Sequence, residues 1–189
     1  MKIGIDLDGV LFDSDRIFEA YAELFDIENN GKGKQVESRY LEVAYKWEDA
    51  LFKKFISQYL DSILDDSPIM FLAKAIIEKL RQDGHKLVVI TNRGALDEKE
   101  RQSTLNRLKK EGLKFDDIEF TKGSKSLLCK KHCIDIMIDN TAEVVEDVAS
   151  NGTKCIYFRD NTKKVELANV YEVHNWAEVY RTINKISQK

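Results

Sequence analysis

Apolar and polar residues change their period several times along the chain. Ile3, Ile5 and Leu7 alternate with Lys2, Gly4, Asp6 and Asp8, the two-residue period of a strand beginning at residue 2. Ile17, Ala20, Tyr21, Leu24 and Phe25 then recur at helical spacing, and a polar, glycine-bearing loop follows at 29–34. Leu51, Phe52, Phe55, Ile56, Tyr59, Leu60, Ile63 and Leu64 predict a second helical region; no strand signal falls between 14 and 68. Pro68 follows Asp65-Asp66-Ser67, so Ser67 is expected to cap a new helix with proline in its first position. That helix carries Ile69, Leu72, Ala73, Ile76 and Leu80 and stops at Gly84.

Beyond Gly84 the pattern is regular. Strands at 86–91, 117–121, 134–139 and 154–158 alternate with helices at about 97–111, 124–133 and 141–151, and Trp176, Val179, Tyr180 and Ile183 mark a last helix. Such alternation means βαβ units and a parallel sheet. The expected class is α/β, a Rossmann-like parallel sheet flanked by helices and interrupted by an all-helical insert. Residues 1–13 and 69–189 form the core and 14–68 the insert, with the lone proline, Pro68, marking the return.

Composition narrows the classes. A chain of 189 residues suits one domain with an insert, and 43% hydrophobic residues can fill its core. Thirty Lys and Arg against 33 Asp and Glu give a net charge of −3, without the basic stripe of a nucleic-acid binder or an acidic tail. No apolar run approaches the roughly 20 residues that cross a bilayer, so no membrane partner is expected. Met1 leads straight into a polar strand, and three cysteines (Cys129, Cys133, Cys155) are too few for a disulfide framework. A reducing cytoplasm is the expected location.

The strands of such a sheet should be nearly all apolar. The exceptions are Asp6 and Asp8, in which the first strand is expected to end and which at i and i+2 project on the same side, Thr91 and Asp139 at the ends of two others, and Ser124 and Lys125 at the start of a helix. All lie where open α/β sheets bind ligands. Alone, each is an ordinary cap, turn or surface residue; their convergence on one edge is the signal. Two carboxylates about 4 Å apart repel by roughly 4 kcal/mol at an effective dielectric near 20, and Asp139 adds to the strain. The cluster implies a cation, and oxygen ligands favour Mg²⁺ over zinc. Metal, lysine and hydroxyl together suit an anionic substrate, phosphate above all.

These residues resemble a known family. Asp6-Leu7-Asp8-Gly9-Val10-Leu11 is similar to the DxDG[VT]L first motif of the haloacid dehalogenase (HAD) superfamily of aspartate-nucleophile phosphohydrolases. Ile90-Thr91-Asn92-Arg93, Lys125 and Ile136-Met137-Ile138-Asp139-Asn140 resemble its second, third and fourth motifs, in the expected order and strand context. The resemblance implies that Asp6 attacks phosphorus and that Asp8 acts as general acid and then base. It implies that Thr91 and the Asn92 N–H hold the phosphoryl group, that Lys125 neutralises charge, and that Mg²⁺ binds Asp6, the Asp8 carbonyl and Asp139. Arg93 is expected to contact phosphate or sugar, and the Phe12-Asp13-Ser14 hinge to contact substrate. The fourth motif often carries a second carboxylate; here Asn140 holds that place, with Glu143 one turn away as a substitute. Lys122 competes for the third role, but Lys-x-x-x-Cys-x-x-x-x-Ile-Asp from Lys125 resembles the helix entry of the deoxyribonucleotidase branch. The insert resembles a type 1 cap.

Other signals weigh less. Cys129, His132 and Cys133 supply only three zinc ligands and are expected to be buried thiols and a bystander. Phe18, Tyr21, Phe25, Tyr40, Tyr45 and Trp47 are expected in helix packing, Lys163-Lys164 in a solvated loop, and Gly31-Lys32-Gly33-Lys34 lacks the context of a phosphate loop. The expected activity is a Mg²⁺-dependent phosphomonoesterase for a small metabolite, foremost a nucleoside 5′-monophosphate. Its rivals are a sugar-phosphate or phosphoglycolate phosphatase, a phosphatase of nucleic-acid ends, and a non-catalytic phosphometabolite sensor. A homodimer is left open.

Overall fold

The structure, a computed structural model, describes residues 1–158 and 163–188. Its described residues form one parallel sheet of six strands in the order β3-β2-β1-β4-β5-β6. These are β1 (Lys2–Ile5), β2 (Lys86–Thr91), β3 (Asp117–Phe120), β4 (Ile136–Asp139), β5 (Lys154–Phe158) and β6 (Val170–Val173). The fold class is the expected α/β, Rossmann-like one. The central strands are apolar because both faces are covered: Leu87 to Thr91 of β2 and all of β4 are buried.

On one face Ile3, Ile5, Leu87, Val89, Ile136 and Ile138 pack with helices α4 (Ala73–Gln82) and α8 (Trp176–Ser187). On the other, Val88, Ile90, Met137, Cys155 and Tyr157 meet α7 (Ala142–Ser150) and Cys129 of α6 (Lys125–Lys131). Gly4 of β1 belongs to this second face, where a Cβ would come within 2.7 Å of Met137 Sδ. Helix α5 (Glu98–Lys110) starts from Asp97, whose carboxylate accepts the N–H groups of Lys99 and Glu100. Trp176 is fully buried, and its Nε1–H donates to the Val10 carbonyl at 2.9 Å, tying α8 to the turn after β1.

The described chain divides into two compact units, Met1–Phe12 with the chain from Ile69 onward, and Asp13–Pro68. The second unit holds α1 (Ser14–Glu28), α2 (Leu41–Ala44) and α3 (Asp49–Asp66) around its own core of Phe25, Tyr45, Trp47, Phe55 and Ile63. Trp47 Nε1–H and the Gly33 N–H both donate to the buried Asp26 carboxylate, at 2.8 and 2.7 Å, so the polar loop at 29–34 is pinned rather than loose. Phe18 and Tyr21 pack partly buried against this core, whereas Tyr40 is exposed.

Four details depart from the sequence reading. Ser67 does not cap a new helix: it follows the last residue of α3, and its hydroxyl donates back to the Ile63 carbonyl at 2.6 Å. Residues after Pro68 pair instead with the start of the chain, through a Phe12–Ile69 bridge and a Met70 N–H to Leu11 carbonyl bond of 2.8 Å. Helix α4 therefore begins only at Ala73. Strand β6, short and half-buried, and the single turn of α2 carry too few residues for a periodicity to declare them. Cys133 lies beyond the end of α6 and is exposed, so it shares no helix face with the buried Cys129.

Candidate active site

The chain runs from β1 to β2 and β3 on one side of the sheet, then crosses to β4, β5 and β6 on the other. The C-terminal ends of β1 and β4 thus flank the topological switch point, where such sheets leave a crevice. Asp6 directly follows β1 and extends its ladder, its N–H bonded to the Ile138 carbonyl at 3.0 Å. Thr91 ends β2, Asp139 ends β4, and Lys125 opens α6.

Lys125 joins two of the acids. Its Nζ lies 3.0 Å from Asp6 Oδ1 and 2.7 Å from Asp139 Oδ2, with all three residues buried. Asp139 Oδ1 accepts the Thr141 N–H at 2.8 Å, which fixes the plane of that carboxylate. Burial pushes the Asp6 carboxyl up to about 6; Lys125 opposes this, while Asp139 and Asp8 add to it. Burial alone would lower the Lys125 ammonium, but Asp139 and Asp6 outweigh it and hold the lysine above its ordinary value. Lys122 is exposed.

Asp8 pairs with a second cation. Arg93 Nε donates to Asp8 Oδ2 at 3.0 Å and Nη2 to Oδ1, a two-pronged pair in which the arginine side chain is only 2% exposed. The Arg93 N–H donates to Thr91 Oγ1 at 3.2 Å. Phe12 is fully buried beneath this arginine, with the guanidinium carbons of Arg93 and Arg107 4.8 and 5.5 Å from its ring centre. Asn92 is exposed, Asn140 buried and Glu143 exposed.

The expected crowd of three unmatched carboxylates is thus corrected by two buried cations. Arg93 is the part that sequence reasoning valued least, because an arginine two residues past a strand looks the same whether it points inward or out. Three carboxylates against Lys125 and Arg93 still leave one net negative charge; burial first, and then the neighbouring Asp139 and Asp8, raise the Asp6 carboxyl. The oxygen-only donors Asp6 and Asp139 fit a hard divalent cation at that place. A different group, Asp117, Glu119 and His132 at the β3 edge, brings three potential ligand atoms within 4.8 Å. There His132 Nε2 and Lys131 Nζ already sit 2.6 and 2.7 Å from Glu119 Oε1. His132 therefore belongs to this cluster and not to a cysteine site.

Comparisons with known proteins agree with this architecture. The family model described as 5′ nucleotidase, deoxy (Pyrimidine), cytosolic type C protein matches residues 1–189. No curated protein matches the sequence. Among solved structures, a haloacid dehalogenase-like family hydrolase from Streptococcus pneumoniae superposes with a TM-score of 0.73 at 16% identity, covering 96% of this chain and 97% of its own. A predicted phosphoglycolate phosphatase from Haemophilus somnus gives 0.65 at 17% identity, covering 96% of each chain. The HAD hydrolase YfnB from Bacillus subtilis, solved with magnesium bound, gives 0.64 at 15%, covering 97% of this chain and 98% of its own. At such identities the likeness is one of fold.

Proposed function

The chain belongs to the 5′ nucleotidase, deoxy (pyrimidine), cytosolic type C family of HAD-type hydrolases, enzymes of the phosphatase and nucleotidase class, and from that premise we propose a Mg²⁺-dependent hydrolysis of nucleoside 5′-monophosphates through an aspartyl-phosphate. The observation that carries the reading is Lys125, buried between Asp6 and Asp139 at the switch point of the sheet. Besides balancing these two acids, a cation held there can face the anionic oxygens of a substrate beside Asp6 as charge moves between them.

In the first half-reaction an Asp6 oxygen attacks phosphorus, the new O–P bond forms, and the ester P–O bond breaks. Asp8, having first taken up a proton from solvent against the pull of Arg93, gives it to the departing hydroxyl oxygen. In the second, Asp8 takes a proton from water, whose oxygen attacks phosphorus and frees both inorganic phosphate and Asp6. Lys125 faces the anionic oxygens in both halves, and Thr91 Oγ with the Asn92 N–H orients the phosphoryl group. Asp6, Asp139 and the Asp8 carbonyl would hold Mg²⁺, which when bound would supply neutralisation of the phosphate charge. The magnesium-bound relative YfnB supports that choice of ion.

The test is a panel of phosphomonoesters with Mg²⁺: ribo- and deoxynucleoside 5′- and 3′-monophosphates, sugar phosphates, phosphoglycolate and 3′-phosphorylated oligonucleotides. Preferred release from a nucleoside 5′-monophosphate supports the proposal. Preference for a sugar phosphate or phosphoglycolate would replace the substrate, and no release from any member would refute the activity.

A further inference from the structure

We propose that Arg93 is a positioning residue, whose two-pronged hold on Asp8 aims that carboxylate at the leaving oxygen. The proposal rests on the reading of Asp8 as general acid. From the sequence, Arg93 is expected to contact phosphate or sugar. The geometry points elsewhere. Both donor prongs, Nε and Nη2, are used on the two Asp8 oxygens. The guanidinium lies over the fully buried ring of Phe12, and its backbone N–H is bonded to Thr91 Oγ1. An arginine so placed is fixed at its main chain, along its flat face and at its tip.

What it fixes matters chemically. Asp8 follows β1 in a turn where the N–H groups of Val10, Leu11 and Phe12 all reach the Leu7 carbonyl, so its backbone is set but its side chain has two torsions to choose. A carboxylate that must meet one ester oxygen gains from having its plane fixed. A fork bond uses one lone pair on each oxygen and leaves another for the proton in transit. Lysine in place of arginine keeps the charge but offers a point rather than a fork.

The support of Arg93 comes from α5. The segment between them is closed by the Arg101 Nε–H bond to the Gly94 carbonyl, 3.3 Å long. The aim of Asp8 is thereby tied to a rigid helix rather than to a free loop.

The experiment compares kcat/KM for p-nitrophenyl phosphate, whose leaving group departs without a proton, with that for a deoxynucleoside 5′-monophosphate, whose leaving group needs one. Wild type, Asp8→Asn, Arg93→Lys and the double variant are measured, each checked for an intact thermal transition. Arg93→Lys is expected to lose about 10²-fold on the nucleotide and less than about tenfold on the aryl ester, within the span of general acid catalysis. The double variant is expected to be no slower on the nucleotide than Asp8→Asn alone, since Arg93 works through Asp8. Equal losses of Arg93→Lys on both substrates, or a loss that adds to that of Asp8→Asn, would make Arg93 a substrate contact and overturn the positioning role. An Asp8→Asn variant that slows both substrates alike, or an inactive wild type, would instead overturn the general-acid reading and the role built on it.

Discussion

Lys125 Nζ and Asp139 Oδ2 sit 2.7 Å apart, both buried, in a pair that water does not screen. Removing one partner of a buried ion pair strands the other charge, at a cost of about 3–5 kcal/mol. Lys125→Met would strand two carboxylates, Asp6 and Asp139. The expected outcome is a loss in that range by urea denaturation together with loss of phosphatase activity. A variant as stable as wild type would show that the two acids accept protons or ions at little cost.

Asp6 stands in the opposite position, since its ionised form is what burial penalises. A shift from 3.8 to about 6 is worth on the order of 2–3 kcal/mol against the folded state at neutral pH. Asp6→Asn is therefore expected to raise the Tm at pH 7 by about 4–12 °C while abolishing turnover. A lowered Tm would mean that the Asp6–Lys125 contact outweighs the burial of the charge.

The same shift sets a pH window. The folded chain holds the Asp6 proton up to about pH 6, the unfolded chain only to about 3.8, so between these values the folded state binds more protons. This group's contribution to stability therefore falls as pH rises through about 4–6, and is constant above. In chelator, wild type minus Asp6→Asn in unfolding free energy should become more negative across that window and flatten beyond it. A difference independent of pH would remove Asp6 as its source.

Five of the six strands were readable from their apolar runs, β6 being too short, and the anchor residues Asp6, Thr91, Lys125 and Asp139 from their places at strand or helix ends. The charge balance was not. Counting acids at one edge shows repulsion, but the relief comes from Arg93, whose inward turn depends on the Phe12 ring beneath it and on Gly94 and Arg101 beside it. Those are contacts between distant or irregular segments, invisible to a period. Ser67-Pro68 failed for a related reason: a serine before proline can end a helix or begin one, and the Phe12–Ile69 bridge decides which.

A divalent cation should respond to the charge left over. Mg²⁺ at a hundredfold excess over its Kd is expected to stabilise the folded chain by about 2.7 kcal/mol at pH 7. Asp139→Asn should erase most of that gain, and Asp117→Asn should leave it intact. If Asp117→Asn removes the effect instead, the ion sits in the β3-edge cluster with Glu119 and His132.

Gly94 gives a last test of how the site is held. Its φ is +71°, and a Cβ there would lie 2.8 and 2.9 Å from the Cα and N of Arg101, backbone atoms that cannot swing away. Gly84 has a similar φ of +83° with nothing within 4 Å of its Cβ position. Both alanine variants carry the cost of a left-handed residue, about 1–2 kcal/mol, but only Gly94→Ala must also push the start of α5 away from the Thr91–Arg93 segment. Gly84→Ala is expected to lose stability alone and keep its kcat/KM. Gly94→Ala is expected to lose more stability and, because Arg93 moves with the segment, at least tenfold in kcat/KM on a nucleoside monophosphate. Equal activity in the two variants would show that the segment yields without disturbing Arg93, and that α5 does not set its position.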